Sequence, residues 1–186
     1  IVLAHGLCGL RVFLGMDRPQ REYFPGIRSY LESGGNRVLV PRVSPMAGIT
    51  TRAAELKSLI RREVGRQPVH VIGHSLGGLD ARYMITALGM HKQVLTLTTV
   101  GTPHRGTTFA DWAVDRFART FSPILRGLGV PDGAFFDLTT ERCREFNDRI
   151  PDRSEVRYFS VAGDCDPNWL YPGWRLPYGI VGRAEG

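Results

Sequence analysis

Short apolar runs alternate along the chain with longer segments whose apolar positions recur every three to four residues. The runs fall at residues 1–4, 37–40, 69–72, 94–100 and 156–161, four of them rich in Val, Ile and Leu. The last reads Val-Arg-Tyr-Phe-Ser-Val. Such runs suit strands buried on both faces, and strands separated by amphipathic helices build a parallel sheet covered by helices on both sides. A helix is predicted around residues 23–33, ended by Gly34-Gly35 as its C-cap. A second is predicted over 51–64, with Thr51 as N-cap, Leu56, Leu59, Ile60 and Val64 on one face, and Gly65 as its end. A third should follow Ser75 and finish at Gly89.

The stretch from Thr102 to Pro151 breaks this rhythm, being too long for a simple crossover. Phe109, Trp112, Ala113, Phe117 and Phe121 share one helical face, with Asp111, Asp115 and Arg119 opposite. A Pro/Gly-rich turn region and a helix around 140–147 follow. The expectation is one domain over residues 1–186 with a helical cap or lid inserted at about 104–150. The chain begins within an apolar run and without an initiating Met. It is therefore read as an internal piece of a longer protein, with the last strand of the sheet missing.

Composition excludes more than it identifies. With 42% hydrophobic and 23% charged residues the chain is ordinary for a globular domain, and no apolar run reaches membrane-spanning length. The formal charge of +6 raises the question of nucleic acid. The basic residues are scattered singly or in pairs such as Arg61-Arg62, however, and no nucleic-acid motif is present. They read as solvated surface, with attraction to anionic lipid as the weaker alternative. Cys8, Cys143 and Cys165 lack metal-ligand spacing; a Cys143–Cys165 bridge and the redox compartment stay open.

The strongest chemical signal is Val69-His70-Val71-Ile72-Gly73-His74-Ser75-Leu76-Gly77-Gly78, a strand, then Gly-x-Ser-x-Gly, then a helix. An abrupt strand-to-helix turn forces the serine into an unusual backbone conformation and presents its oxygen at the C-terminal edge of the sheet. The helix starting there offers free N–H groups and the positive end of its dipole to developing negative charge. A second element agrees: Ile1-Val2-Leu3-Ala4 leads into His5-Gly6-Leu7-Cys8-Gly9. A tetrahedral intermediate of acyl transfer needs two N–H donors for its oxyanion. Leu76, directly after the serine, and Leu7, in the glycine-bearing loop, are the expected donors.

Together with Gly73-His74-Ser75-Leu76-Gly77-Gly78-Leu79-Asp80-Ala81-Arg82-Tyr83, two further segments carry a family resemblance: His5-Gly6-Leu7-Cys8-Gly9 and Thr98-Thr99-Val100-Gly101-Thr102-Pro103-His104-Arg105-Gly106-Thr107. The chain resembles the bacterial triacylglycerol lipases of the α/β-hydrolase superfamily over nearly its whole length. The resemblance implies an α/β-hydrolase fold with Ser75 as nucleophile, Leu7 and Leu76 as the oxyanion hole and residues 107–147 in the cap. It further implies hydrolysis of lipid or other carboxylic esters, possible work at a lipid–water interface, and no organic cofactor, a structural Ca²⁺ remaining open.

Ser75 needs a base, and in this fold the chain order is Ser, acid, His. His5, His70, His74, His91 and His104 all precede the strand at 156–161. The triad histidine is therefore expected beyond residue 186, and His104 is read as structural. Asp164 and Asp166 are weak candidates for the acid, because the lipase pattern places its aspartate somewhat later. Two alternatives stay beside the esterase reading: another acyl-transfer activity on the same site (phospholipase, thioesterase or acyltransferase), and a non-catalytic binding protein that kept the fold.

Overall fold

A computed structural model of the chain describes residues 1–7, 23–118, 133–163, 166, 168 and 175–185. Four strands, β1 (Val2–Ala4), β2 (Val69–His74), β3 (Val94–Val100) and β4 (Arg157–Val161), form a wholly parallel sheet in the order β1-β2-β3-β4. Around it lie α1 (Ile27–Ser33), α2 (Ile49–Val64), α3 (Leu76–Thr86), α4 (Thr108–Ala113), α5 (Gly133–Asp137), α6 (Thr140–Arg149) and α7 (Arg175–Glu185). Among the described residues no helix is long and apolar enough to cross a membrane.

Strand alternation decides which face each residue serves. Val2, Val71, Leu97 and Tyr158 are in register across the four strands. They meet Ala53, Leu56 and Ile60 of α2 and Ala81, Met84 and Ile85 of α3 in the main core. On the other face Leu3 is buried with Phe24, Val38 and Leu31 of α1. Toward β4 that face opens, with Phe159 53% and Val161 50% exposed. Helix cover among the described residues is thus complete on one face and confined to the β1 side on the other.

The run at 37–40, expected as a strand, is reduced to one bridge. Leu39 donates to Ile1 O and accepts from Leu3 N–H, each at 2.8 Å. The next rung needs an N–H at residue 41, which is Pro41, and proline has none. Leu39 still lies on the far side of β1 from β2. The chain therefore leaves β1 in one direction and resumes at β2 in the other, so the crevice between the C-terminal ends of β1 and β2 is the switch point of the sheet. Open α/β sheets bind ligands at such points.

Helix boundaries differ from expectation for local reasons. The first helix starts at Ile27 rather than Tyr23 because Pro25 and Gly26, the latter at φ 76°, make a turn before it. The second starts at Ile49, with Gly48 and not Thr51 as N-cap, because Asp137 Oδ2 accepts the Ile49 N–H at 2.7 Å. That cap comes from 88 residues away in sequence.

The segment between β3 and β4 folds as helices against the start of α3. Ala110, Ala134, Leu138 and Cys143 are buried with Leu76 and Leu79. The buried residue of α4 is Ala110, while Phe109 and Trp112 stack at 5.8 Å on its half-buried side. Past Ala113 the helix widens into a π-turn over Val114–Ala118, which breaks the predicted continuous stripe. Phe121 and Arg119 lie outside the described residues, as does the side chain of Phe117. Asp111, expected on a solvated face, instead accepts both the N–H and the hydroxyl of Thr140 at 2.9 Å and so secures the start of α6. Cys143 is a free, buried thiol pushed up to about 11, first by burial and then by the Asp137 carboxylate. Cys8 and Cys165 lie outside the described residues.

Candidate active site

Ser75 stands at the C-terminal end of β2 and caps the N-terminus of α3. Its φ of 53° and ψ of −129° make it the one non-glycine residue at positive φ among the described residues. Such a conformation costs on the order of 1–3 kcal/mol and persists only where the surroundings enforce it. Here they do. The Ser75 N–H donates to Val100 O at 3.0 Å, and its carbonyl accepts from Gly78 N–H at 3.0 Å and from the Thr102 hydroxyl at 2.8 Å.

Close backbone approach explains the glycines. A Cβ on Gly73 would lie 2.7 Å from Gly78 Cα, and one on Gly77 would strike the carbonyl oxygens of Ala4 and His5. Helix α3 can therefore press against the end of β1. Gly6 sits on the other side of the crevice, where a Cβ would come 2.7 Å from Ser75 Cβ. The loop carrying Leu7 and the turn carrying Ser75 are thus in contact, and Leu7 packs on the cluster that contains Leu76. Leu76 opens α3, so its N–H has no carbonyl a turn earlier to bond. The Leu7 N–H has no partner among the described residues.

Three residues not singled out from the sequence hold this arrangement. Tyr23 Oη accepts the Gly6 N–H at 3.1 Å and lies 2.9 Å from His74 Nδ1, joining the two loops. Arg52 is completely buried and donates to His5 O and Ser44 O at 2.8 Å, to Gly6 O at 3.3 Å and to Asp80 Oδ2 at 2.9 Å. Asp80 lies within α3, and burial lifts its carboxyl to about 7 although Arg52 pulls it down. The signal for Arg52 was available: it sits on the same face of α2 as Ile49, Ala53, Leu56 and Ile60, where a charge demands a buried partner.

All five histidines are among the described residues, and no described hydrogen bond joins any of them to Ser75. His5 donates from Nδ1 to Gly6 O at 2.8 Å and accepts Val43 N–H at Nε2, 3.1 Å, so both nitrogens of a neutral ring are used. Burial holds its pKa below the usual value. His74 faces Tyr23 and is lowered by burial as well. His104 receives Arg82 at Nδ1, 3.3 Å, and meets the Thr99 hydroxyl at Nε2, 3.0 Å; burial and then Arg82 lower it. His70 pairs with Thr96 on the open sheet face, and His91 lies 3.9 Å from Glu155. Asp166 is exposed and accepts Asn168 N–H at 2.8 Å, with no described contact to Ser75. Asp164 lies outside the described residues. Among the described residues no group of three or more His, Cys, Asp or Glu side chains is arranged to hold a metal ion.

A parallel sheet with a serine elbow at its switch point, faced by a glycine loop from the adjacent strand, defines the α/β hydrolases as a class. Comparison with known proteins agrees. Residues 51–129 match the PGAP1-like alpha/beta domain. The chain is 33% identical over 168 residues to triacylglycerol lipase 2 of Saccharomyces cerevisiae, covering 86% of this chain and 51% of that protein. It is 37% identical over 200 residues to a triacylglycerol lipase of Pseudomonas fragi, covering 88% and 66%. Two solved structures share the fold: mature Bacillus licheniformis lipase BlEst2 (TM-score 0.73, 23% identity, 99% of this chain and 72% of that one) and the metagenomic carboxyl esterase MGS0156 (TM-score 0.81, 19%, 98% and 55%). The chain belongs to this lipase-like family of α/β hydrolases. It spans about half the length of the yeast relative.

Proposed function

We propose that the protein is a serine ester hydrolase of the lipase/esterase kind, acting through an acyl-enzyme on Ser75. The observation that carries this reading is the conformation of Ser75, a non-glycine at φ 53° held by bonds to both its N–H and its carbonyl. A merely structural turn would place glycine there and avoid the strain. The Ser75 oxygen attacks the ester carbonyl, and the oxyanion that forms is received by the N–H groups of Leu7 and Leu76. Collapse expels the alcohol, and water then releases the acid from the serine. The general base is proposed to come from outside this sequence, since no histidine here is hydrogen-bonded to Ser75 and the fold's chain order places the base after the acid. The reaction draws on no organic cofactor.

The substrate is proposed to be a lipid or other acyl ester, met at a lipid–water interface. The names of the yeast and Pseudomonas fragi relatives support this, as does the stacked, half-buried Phe109–Trp112 pair on α4 beside the site. The helices between β3 and β4 are proposed to act as the cap. A fluorophosphonate probe applied to the whole protein tests the chemistry. Wild type should be labelled and should hydrolyse p-nitrophenyl esters, whereas Ser75→Ala should lose both. An unlabelled, inactive but folded wild type would defeat the proposal and favour a binding role.

A further inference from the structure

A peptide unit is planar, with its C=O and the following N–H on opposite sides. Whatever holds the oxygen therefore sets where the N–H points. The Leu7 N–H shares a peptide with Gly6 O, and that oxygen receives Arg52 Nη2 at 3.3 Å and His5 Nδ1 at 2.8 Å. The Leu76 N–H shares a peptide with Ser75 O, which receives the Thr102 hydroxyl at 2.8 Å and Gly78 N–H at 3.0 Å. Each of the two peptides that face the crevice thus carries two donors at its rear. Donors on a carbonyl also polarise the peptide and strengthen its N–H as a donor in turn.

We propose that Thr102 and Arg52 are positioning residues that aim and polarise the two oxyanion N–H groups through the carbonyls behind them. Arg52 is itself held by Asp80 of α3, the helix that Leu76 opens, so one buried pair fixes one loop relative to the other. A buried ion pair gains little stability over apolar residues of the same volume, because desolvation offsets the attraction. What it does here is hold the carbonyls of His5 and Gly6 against the helix that Leu76 opens. The Thr102 hydroxyl has no other described hydrogen-bond partner than Ser75 O.

This inference rests on the hydrolase reading, and the test separates the two. Thr102→Val keeps the shape and removes the hydroxyl, and Thr102→Ser restores it. In the whole protein Thr102→Val should fold, with a melting temperature only a few degrees below that of wild type. Its kcat should fall about 10-fold or more, short of the 10²–10³ typical of losing a donor outright, with KM little changed. Affinity for a trifluoromethyl ketone, which forms a tetrahedral oxyanion on the serine, should fall by the same factor as kcat/KM. Thr102→Ser should recover most of both. An active wild type with unaltered Thr102→Val kinetics, or a Thr102→Ser as impaired as Thr102→Val, overturns the positioning role alone. An inactive wild type overturns both readings. A Thr102→Val that fails to fold shifts the test to Arg52→Lys, whose single ammonium cannot hold Asp80 and the carbonyls together. It should show the same loss in kcat and ketone affinity, and normal kinetics in a folded Arg52→Lys overturns the proposal.

Discussion

Ser75 stores strain where the proposed chemistry happens. Its backbone sits where a Cβ is unwelcome, and three hydrogen bonds from β3, α3 and Thr102 keep it there. Glycine relieves that strain but loses more entropy on folding, by roughly 0.5–1 kcal/mol. With about 1–3 kcal/mol of strain released, Ser75→Gly should be the more stable protein by up to about 2.5 kcal/mol, whereas Ser75→Ala should gain nothing. Denaturant midpoints of the two variants decide it, a Ser75→Gly midpoint below that of Ser75→Ala meaning that the elbow holds no strain. Ser75, Gly73 and Gly77 were legible as residues, because a strand followed at once by a helix leaves few residue types able to make the turn. Arg52 was legible only as a charge on the buried face of α2, and its partners, like the roles of Asp80, Tyr23 and Thr102, were not, since these depend on bonds between elements.

At the scale of elements, the joints are polar. Arg82 of α3 donates to Asn147 Oδ1 of α6 at 2.8 Å and to Ile150 O at 3.2 Å, and Asn147 donates to His104 O at 2.8 Å. His104 thus ties the loop after β3 to α6 while bonding Thr99 within β3. Folding favours its neutral form, so its folded pKa lies below the unfolded 6.5. The stability this gives is fully present above that unfolded value and is lost as pH falls through the folded one. His5 and His74 share the sign. Between pH 7 and pH 5 the melting temperature of wild type should therefore fall relative to that of His104→Gln. Equal slopes would remove His104 from this account. Asp80 acts oppositely: its folded pKa near 7 lies above the ordinary 3.8, so its contribution is lost as pH rises through 7.

The whole molecule places a helical segment over the start of α3, through Ala110, Ala134, Leu138 and Cys143 against Leu76 and Leu79. α7 packs on α4. In the proposed cap, Trp112 is half-buried and stacks on Phe109 rather than filling the core. Trp112→Ala should shift the preferred acyl-chain length among p-nitrophenyl esters by several-fold in kcat/KM ratio, with a modest loss of stability. Lower stability with unchanged chain preference would assign the residue to packing alone.

The sequence by itself determined the parallel sheet, the elbow at Ser75 and the glycine loop at Leu7. Each is written in neighbouring residues: apolar runs for strands, and glycines where backbones must touch. It also determined that the histidines come too early in the chain for the expected triad order. Only the tertiary structure decided that the run at 37–40 is a single bridge and that α2 begins two residues early under Asp137. It likewise decided that a buried Arg52–Asp80 pair joins the two halves of the site. The reason is common to all three. Each depends on which distant polar group reaches a backbone atom, and that partner is set by packing across the fold rather than by spacing along the chain.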